Sequence, residues 1–488
     1  MALNVTAVGP SADGFVTVWP AGAVQPTASN LNLRVGVTVP NMVIVPLGAD
    51  GKVSIFNDSG TTNLLVDVLG WFPTTTQMSS PNPARASVGP DGLQTFGYSL
   101  DPAISADGRY VAFRSIASNL VAGDTNAKAD VFVFDRTNSV TTRVSVGPAG
   151  LQADNESTYP AISADGRFIT YSSDATNLVT GDTNAKSDVF VFDRTTSTTT
   201  RVSVGPAGVQ ANGDSRNGQQ ISADGRYIAF RSIASNLVTG DTNATSDVFV
   251  FDRTTSTTTR VSVGPAGLQA DNGSYEPAIS ADGRLVAFRS DASNLVAGDT
   301  NAKSDVFVFD RSTSATTRVS VGPAGAQANG DSIEPAISAD GRYVAFESLA
   351  SDLVAGDTNA KSDAFVFDRT TSAATRVSVA PAGAQADSDC YNPAISADGR
   401  YITFESDASN LVAGDTNAKS DVFVFDRTAS TTTRVSVGPA GVQANLGSSS
   451  SAMSSDGRYI TFESSATNLI ASDSNASSDV FVFDQGTI

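Results

Sequence analysis

Aspartate and asparagine recur at a fixed spacing through most of the chain. A loop whose commonest form is SNLVAGDTNAKSD keeps the pattern Asp-x-Asn-x-x-x-Asp in seven copies. Ca²⁺ prefers carboxylate and amide oxygens, and each loop supplies about half of the roughly six to eight ligands that the ion takes. The pattern therefore predicts calcium as a cofactor. The candidate metal ligands are Asp124, Asn126, Asp130, Asp182, Asn184, Asp188, Asp241, Asn243, Asp247, Asp299, Asn301, Asp305, Asp357, Asn359, Asp363, Asp415, Asn417, Asp421, Asp473, Asn475 and Asp479.

The same pattern also has a purely structural interpretation. Asp and Asn side chains bond to the backbone two residues further on and so hold a long loop in shape. The last aspartate of each loop then accepts backbone N–H bonds where the next strand begins. The sequence leaves both interpretations open, and a melting temperature that calcium raises would support the metal site through ligand linkage.

The copies differ most between a shared Gly-Pro-Ala-Gly run and the strand that follows it. Because the rest of each copy is nearly constant, this variable segment is the candidate ligand site. Tyrosine, carboxylate and asparagine side chains together suit the recognition of a sugar or a peptide. The alternative is that surface loops vary without a binding role. The candidate ligand-binding residues are Tyr98, Tyr159, Arg216, Tyr275, Glu276, Glu334, Tyr391 and Asn392.

Histidine is absent from the chain, which excludes His-based general base catalysis, Ser-His-Asp triads and His-ligated zinc. Glu276 and Glu334 would suit glycoside hydrolysis if their carboxyl groups lay about 5 to 9 Å apart. The serine of the repeated ISADG run lacks the pattern of a nucleophile elbow. The sequence therefore favours a non-catalytic recognition or scaffold protein with a glycan or protein ligand. A carbohydrate-binding lectin and a carboxylate-based hydrolase are the alternatives.

One repeated unit positions all of these residues. The Asp of an Ala-Asp-Gly or Ser-Asp-Gly turn marks its register at Asp107, Asp165, Asp224, Asp282, Asp340, Asp398 and Asp456. Each unit contains four short β-type runs, which in the first unit are 103–105, 110–114, 131–134 and 142–146. A unit of this size cannot bury its own apolar face and needs a neighbour on each side. The repeats therefore predict a ring of seven β-sheets, with the variable segments near the mouth of the central channel.

The two ends of the repeat region carry complementary parts of one unit. Residues 85–94 read RASVGPDGLQ and match the RVSVGPAGLQ run that closes the other units, whereas the seventh unit stops at FVFDQGTI. The missing fourth strand of the last unit therefore lies at the start of the array. The sequence predicts a seven-bladed β-propeller over residues 85–488 that is closed by strand exchange, which leaves no open sheet edge.

The run PAISADGRYVAF resembles the PxFSPDGxxIAF signature of TolB-type, WD40-like propeller repeats, with Ala in place of the usual Pro. The resemblance covers all seven units. It implies the propeller fold and implies no particular function, because this family includes periplasmic interaction proteins, peptidase-associated propellers and lactonase-like enzymes.

Residues 1–73 read differently from the repeats and predict a small β-sandwich, with alternating apolar strands separated by Pro, Gly, Asn and Asp. Runs such as GFVTVWPAG and DVLGWF resemble a β-module of secreted actinobacterial proteins. Trp19 and Trp71 suit either sugar stacking or core packing. Residues 74–84 are rich in Pro, Ser and Thr and predict a linker between the two domains.

Composition limits the partners. The net charge of −19 argues against nucleic acid and anionic membrane surfaces. No apolar run approaches the roughly 18 residues of a membrane helix, so membrane insertion is not expected. Cys390 is the single cysteine and has no intrachain partner. The composition of the sequence is typical of secreted proteins and predicts an extracellular or cell-surface location, although residues 1–8 do not form a signal peptide. The oligomeric state is left open.

Overall fold

A computed structural model describes residues 2–45, 47, 52–70, 83–216 and 218–486. The chain divides into two compact units, Met1–Ser80 and Pro81–Ile488. Apart from its last two residues, the predicted linker over 74–84 lies outside the described residues, as does Trp71. In the described ranges, no helix has the length and apolar character needed to cross a membrane.

Unit 1 is a sandwich of two three-stranded sheets. Its strands are β1 (Ala2–Val8), β2 (Gly14–Pro20), β3 (Leu31–Leu33), β4 (Val39–Ile44), β5 (Val53–Asn57) and β6 (Asn63–Gly70). One sheet has the order β4-β1-β6 and the other β3-β2-β5. Alternating residues of both sheets, such as Leu3, Val5, Val16 and Val18, share one buried core, so the predicted sandwich is confirmed. The indole nitrogen of Trp19 donates to the Ala23 carbonyl at 3.1 Å, and its sugar-stacking role stays a prediction.

Unit 2 consists of four-stranded antiparallel sheets. The first four blades are β8 (Ser99–Ile104), β9 (Tyr110–Ser115), β10 (Asp130–Asp135), β11 (Val140–Arg143); β12 (Ser157–Ile162), β13 (Phe168–Ser173), β14 (Asp188–Asp193), β15 (Thr198–Arg201); β16 (Gln220–Ile221), β17 (Tyr227–Ser232), β18 (Asp247–Asp252), β19 (Thr257–Arg260); β20 (Ser274–Ile279), β21 (Leu285–Ser290), β22 (Asp305–Asp310) and β23 (Ala315–Arg318). The last three are β24 (Ser332–Ile337), β25 (Tyr343–Ser348), β26 (Asp363–Asp368), β27 (Ala373–Arg376); β28 (Cys390–Ile395), β29 (Tyr401–Ser406), β30 (Asp421–Asp426), β31 (Thr431–Arg434); and β32 (Ser448–Met453), β33 (Tyr459–Ser464) and β34 (Asp479–Asp484) with β7 (Ala84–Arg85). Short 3₁₀ turns lie at Pro90–Gly92, Pro148–Gly150, Pro206–Gly208, Pro265–Gly267, Pro323–Gly325, Pro381–Gly383 and Pro439–Gly441.

The ring is closed in the predicted way. Strand β7 pairs with β34, with Arg85 opposite Phe481 and Ala84 opposite Val482. A circle of seven main-chain hydrogen bonds of 3.0 to 3.1 Å also joins the inner hairpin turns, each N–H donating to the next blade's carbonyl. It runs through Ala106, Ala164, Ala223, Ala281, Ala339, Ala397 and Ser455, whose N–H donates back to Ala106. The second unit is a seven-bladed β-propeller.

Apolar layers between neighbouring blades form the core. In one layer, Val131 and Val133 of the first blade pack against Ile169 and Tyr171 of the second. The third strand of each blade is apolar on both faces because a neighbour covers each face, as its repeated DVFVFD sequence indicates. This stacking explains why a period-two alternation is missing from that strand.

The turn between the first two strands of each blade also joins neighbours. Gly166 has a φ of +71° and lies directly against the ring of Tyr110 in the preceding blade. Arg167 holds Asp193 by two bonds of 2.9 and 2.7 Å, which lower the pKa of Asp193 to about 2. The guanidinium of Arg194 lies 4.0 Å from the centre of the Tyr110 ring. The repeated Asp-Gly-Arg-aromatic sequence is therefore a contact between blades as well as a turn.

Candidate functional site

The innermost strand of most blades carries a kink at the residue that precedes its Pro-Ala or Ser-Ala pair. Six of these residues adopt a left-handed backbone without being glycine, and in the third blade Gly218 has a φ of +79°. The six are Asp101, Tyr159, Glu276, Glu334, Asn392 and Ser450. A left-handed non-glycine residue costs about 1 to 2 kcal/mol. Strain of this kind is common at functional sites, although the same conformation also recurs in the loops, for example at Ala127 and Ser139.

A cavity of 410 Å³ lies between these innermost strands. Its wall repeats the Pro-Ala-Ile run of the strands, for example at Pro102, Ala161 and Ile337, and it also exposes polar atoms. Glu334 and Asn392, both predicted ligand-binding residues, lie in the lining. The structure thus places two of the predicted residues at the central channel.

Glu276 and Glu334 are brought together by adjacent blades. The N–H of Glu334 donates to Oε2 of Glu276 at 3.0 Å. Nε of Arg289 lies 3.4 Å from Oε1 of Glu276. Burial raises the pKa of the Glu276 carboxyl, and Arg289 opposes that rise. Burial, followed by the charges of Glu276 and Glu347, raises the pKa of Glu334 to about 7.

The carboxyl group of Glu334 has no hydrogen bond or ion pair with the described part of the chain. Its main-chain N–H is bonded, whereas its side chain has only repulsive carboxylates and the more distant Arg289 as electrostatic neighbours. Glu334 is half-buried, and a partly desolvated carboxylate without a partner is costly to ionise. The site therefore contains an acidic group that a ligand can satisfy.

Three more glutamates at this site were missed by the sequence analysis. Glu347, Glu405 and Glu463 occupy the same position in the second strands of the last three blades. Each accepts a hydrogen bond from the left-handed residue of the next blade, as in the 2.9 Å bond from the Asp101 N–H to Glu463 and the 2.5 Å bond from the Ser450 N–H to Glu405. Burial raises the pKa of Glu405 to about 7.

The signal for these residues was present but small. Six blades carry a three-residue motif with Phe first and Ser last in the second strand. Its middle residue is Arg in the first, third and fourth blades and Glu in the last three. Asp101 was missed for a different reason, since it stands at the end of a variable segment. Its Oδ2 lies 2.5 Å from Nε of Arg114, and burial raises its pKa to about 6. We call Asp101, Glu276, Glu334, Glu347, Glu405 and Glu463 the acidic mouth.

The other predicted ligand-binding residues are spread over several places. Nδ2 of Asn392 donates to Glu405 at 3.2 Å, so Asn392 lies beside the acidic mouth. Tyr159 is 38% exposed, and the Arg114 guanidinium lies 5.6 Å from its ring centre. Arg216 and Tyr275 line a separate cavity between the third and fourth blades.

Tyr98 and Tyr391 do not belong to the described lining of either cavity. The Tyr98 carbonyl accepts a 2.8 Å bond from the Ser115 hydroxyl. Burial and the neighbouring Asp389 carboxylate raise the pKa of Tyr391 to about 12. A ligand role for these two tyrosines stays a prediction.

The repeated Asp-x-Asn-x-x-x-Asp loops surround an arginine. In the second blade, Nη1 of Arg201 lies 3.0 Å from Asp182 and 3.4 Å from Asp188. Asn184 donates to Asp188 at 2.9 Å and accepts from the Lys186 N–H at 3.1 Å, as an Asx-turn does. The equivalent arginines are Arg85, Arg143, Arg260, Arg318, Arg376 and Arg434.

The Asx-turn of Asn184 is the one that the structural interpretation predicts. The expected backbone N–H bonds to the last aspartate are not found among the described residues, because Asp188 accepts from the side chains of Asn184, Arg201 and Ser203 instead. Within the described residues, no three His, Cys, Asp or Glu side chains are grouped in a way that could hold a metal ion. Calcium binding by the 21 residues named above stays a prediction.

No family model and no curated protein matches this chain. Among solved structures, an oligogalacturonate lyase in complex with manganese shares 14% identity with a TM-score of 0.50, and the match covers 83% of this chain and 96% of that one. An oligogalacturonate lyase from Vibrio parahaemolyticus shares 12% identity with a TM-score of 0.50, covering 84% of this chain and 92% of that one.

TolB from Acinetobacter baumannii also matches, with 13% identity, a TM-score of 0.37, and coverage of 70% of this chain and 64% of that one. Identities this low establish the fold alone. The propeller that the repeat signature implied is confirmed.

Proposed function

We propose that this protein is a non-catalytic recognition module, located outside the cell or on its surface, that binds a positively charged group at the acidic mouth. The observation that carries the proposal is the unpartnered carboxyl group of Glu334 in the lining of the central cavity. The proposed location rests on the resemblance of residues 1–73 to modules of secreted proteins.

The charge balance of the acidic mouth favours a cationic ligand. Of its six carboxylates, Glu276 and Asp101 have an arginine within ion-pair distance, at Arg289 and Arg114. The other four have hydrogen-bond donors or no partner within the described residues. A bound ammonium or guanidinium group would offset the cost of burying these charges, and such groups occur on lysine and arginine side chains of a protein ligand.

The raised pKa values make this binding depend on pH. A cation binds the ionised form of Glu334, whose pKa of about 7 means that the proton must leave on binding at neutral pH. Affinity for a cationic peptide is therefore expected to rise between about pH 6 and pH 8, with release of protons. A neutral glycan, the ligand of the lectin alternative, would bind without this proton release.

The test is isothermal titration of oligolysine and of neutral oligosaccharides in two buffers with different ionisation enthalpies. The variant Glu334→Gln keeps the shape of the side chain and is expected to weaken oligolysine binding about tenfold or more, since a charge-assisted bond contributes about 1.5 to 3 kcal/mol. The control Glu156→Gln makes the same charge change at an exposed position. Equal oligolysine affinity in wild type and Glu334→Gln would refute the proposal.

A carboxylate-based hydrolase is the second candidate, because the pair Glu276 and Glu334 has unequal surroundings. Arg289 favours the ionised form of Glu276, whereas Glu334 has no such partner. An ionised and a protonated carboxyl group side by side are what glycoside hydrolysis needs. Turnover of polysaccharides that both Glu276→Gln and Glu334→Gln abolish would favour the enzyme over the binding module.

A further inference from the structure

A second cavity of 340 Å³ opens between the third and fourth blades. Its size falls in the range of about 300 to 1,000 Å³ that is typical of small-ligand sites. Asp214, Arg216, Arg231, Ser246 and Tyr275 are among its lining residues. It lies outside the acidic mouth and has the opposite chemical character.

The hydroxyl group of Ser246 is buried without a partner. The residue is 7% exposed, and its Oγ makes no hydrogen bond with the described residues. Oγ1 of the adjacent Thr245, which also lines the cavity, is likewise buried and unbonded. A buried hydroxyl that lacks an acceptor carries a desolvation cost of about 1 to 3 kcal/mol.

The fourth and fifth blades provide a carboxylate acceptor for the equivalent serine, and the third blade does not. Ser304 donates to Asp291, and Ser362 donates to Glu347 at 2.9 Å. At the corresponding positions the third blade has Ile233 and Arg231, neither of which has a side chain that accepts a hydrogen bond. The orphaned hydroxyl therefore follows from two substitutions in one blade.

Arg231 also has no carboxylate of the described residues within ion-pair distance, although its charge helps to lower the pKa of Glu276. The equivalent Arg114 pairs with Asp101, and Arg289 pairs with Glu276. In the third blade Gly218 stands at the position of Asp101 and Glu276, so Arg231 forms no ion pair with a described residue. Its Nε donates to the Arg216 carbonyl at 3.0 Å, which leaves the two Nη groups for other acceptors.

The one carboxylate in the described lining is already engaged. Oδ2 of Asp214 lies 3.1 Å from Nη2 of Arg216, and Oδ1 accepts the Ser187 N–H at 3.2 Å. The cavity therefore presents a guanidinium and two hydroxyl donors with no free acidic group. We infer that this cavity, which we call the donor pocket, binds a carboxylate group, whose two oxygens match the planar fork of Arg231 while Ser246 donates to one of them.

Two sources can supply a carboxylate, and the experiment separates them. Binding of glucuronate, of N-acetyl-glutamate amide and of glucose is measured by titration calorimetry on the full chain. Binding of either acid with no binding of glucose supports the inference and tells whether the carboxylate comes from a sugar acid or from a peptide. Failure of both acids to bind at millimolar concentration overturns it, as does sulfate that binds as tightly as they do.

Variants locate the site. Arg231→Gln is expected to weaken binding of the acid at least tenfold, and Ser246→Ala about threefold to tenfold, with thermal melts confirming that both variants fold. Ser304→Ala and Lys186→Gln are controls, because Ser304 already has an acceptor and Lys186 is exposed outside the pocket. Unchanged affinity in Arg231→Gln would overturn the inference. Glu334→Gln should leave this binding unchanged, so the result is independent of the proposed function.

Discussion

Glu334 shows how one residue combines position, strain and charge. Its left-handed backbone places it on the innermost strand, where its N–H is fixed by Glu276 and its carboxyl group lines the cavity. Burial and then the surrounding carboxylates favour the protonated form, which raises its pKa to about 7. The same group is thus a source of instability in the free protein and the proposed binding partner for a cation.

Glu334→Gln is expected to stabilise the propeller at pH 8 and to leave its stability nearly unchanged at pH 5. Because the pKa of Glu334 is raised on folding, the folded state holds the proton more tightly, and the resulting stabilisation is lost as the pH rises through about 7. The glutamine variant does not lose it. Calorimetric melting temperatures at both pH values, with Glu156→Gln alongside, measure the effect. A variant less stable than wild type at pH 8 would contradict the expectation.

The loop arginines give a second expectation at this scale. Since Arg201 already lies between Asp182 and Asp188, calcium and EDTA should leave the melting temperature of the wild type unchanged. Arg201→Met should lose about 3 to 5 kcal/mol, because it leaves buried carboxylates unpaired. Calcium should then partly restore the melting temperature of that variant. A wild-type melting temperature that calcium raises by several degrees would instead support the predicted metal sites.

The sequence supports predictions of individual site residues only where the change between copies is large. The variable segments pointed to Glu276, Glu334 and Asn392, all of which lie at or beside the cavity. Glu347 and Glu405 were not predicted as site residues, because only one residue differs between copies in an otherwise constant strand. Their partners belong to the following blade, and that pairing requires the geometry of the ring.

At the scale of elements, the Asp-Gly-Arg-aromatic turn is one of the contacts that join the blades. It combines a tight hairpin, a bidentate ion pair and a ring that the next blade's arginine covers. The sequence predicted the hairpin from its Asp-Gly pair and the strands from their apolar runs. It placed the first strand at 103–105, whereas the strand begins at Ser99, because the kink at Asp101 has no signature in local propensity. It also placed the fourth strand at 142–146, which is observed at Val140–Arg143.

Two glycines of the second blade separate the turn from the blade contact. Gly166 and Gly181 both have a positive φ, at +71° and +78°, but only Gly166 lies against a neighbouring ring. Gly181→Ala should cost about 1 to 2 kcal/mol from backbone strain alone. Gly166→Ala should cost about 1 to 3 kcal/mol more because the added methyl group clashes with Tyr110. Denaturant titrations of both variants measure the difference, and equal losses would show that the ring contact contributes nothing.

At the scale of the whole molecule, seven nearly equivalent interfaces share the stability of the propeller, and a seam inside the seventh blade joins the two ends of the array because β7 completes its sheet. That seam is built from Arg85, which lies 3.0 Å from Asp473 and 3.3 Å from Asp479, and from Ser87, which donates to Asp479 at 2.7 Å. The sequence predicted this closure because the missing strand could be read directly from the two ends. Which ligand the ring binds could not be read, since the relevant side chains meet only across blades.

Arg85→Met and Arg201→Met remove equivalent arginines, one at the seam and one within a continuous blade. Both should be destabilised, but only Arg85→Met should release β7 and expose the edge of β34. Exposed edges pair with other chains, so this variant should self-associate in sedimentation experiments while Arg201→Met stays at the wild-type mass. Identical behaviour of the two variants would argue against a special role for the seam.

The two halves of the seam are also synthesised at different times. Ser87 leaves the ribosome 392 residues ahead of its partner Asp479. At about 5 to 20 residues per second, this interval lasts roughly 20 to 80 s. During that time, the blades that have been made form an open arc without the closing strand. A nascent chain that stops before the final strand cannot close the ring.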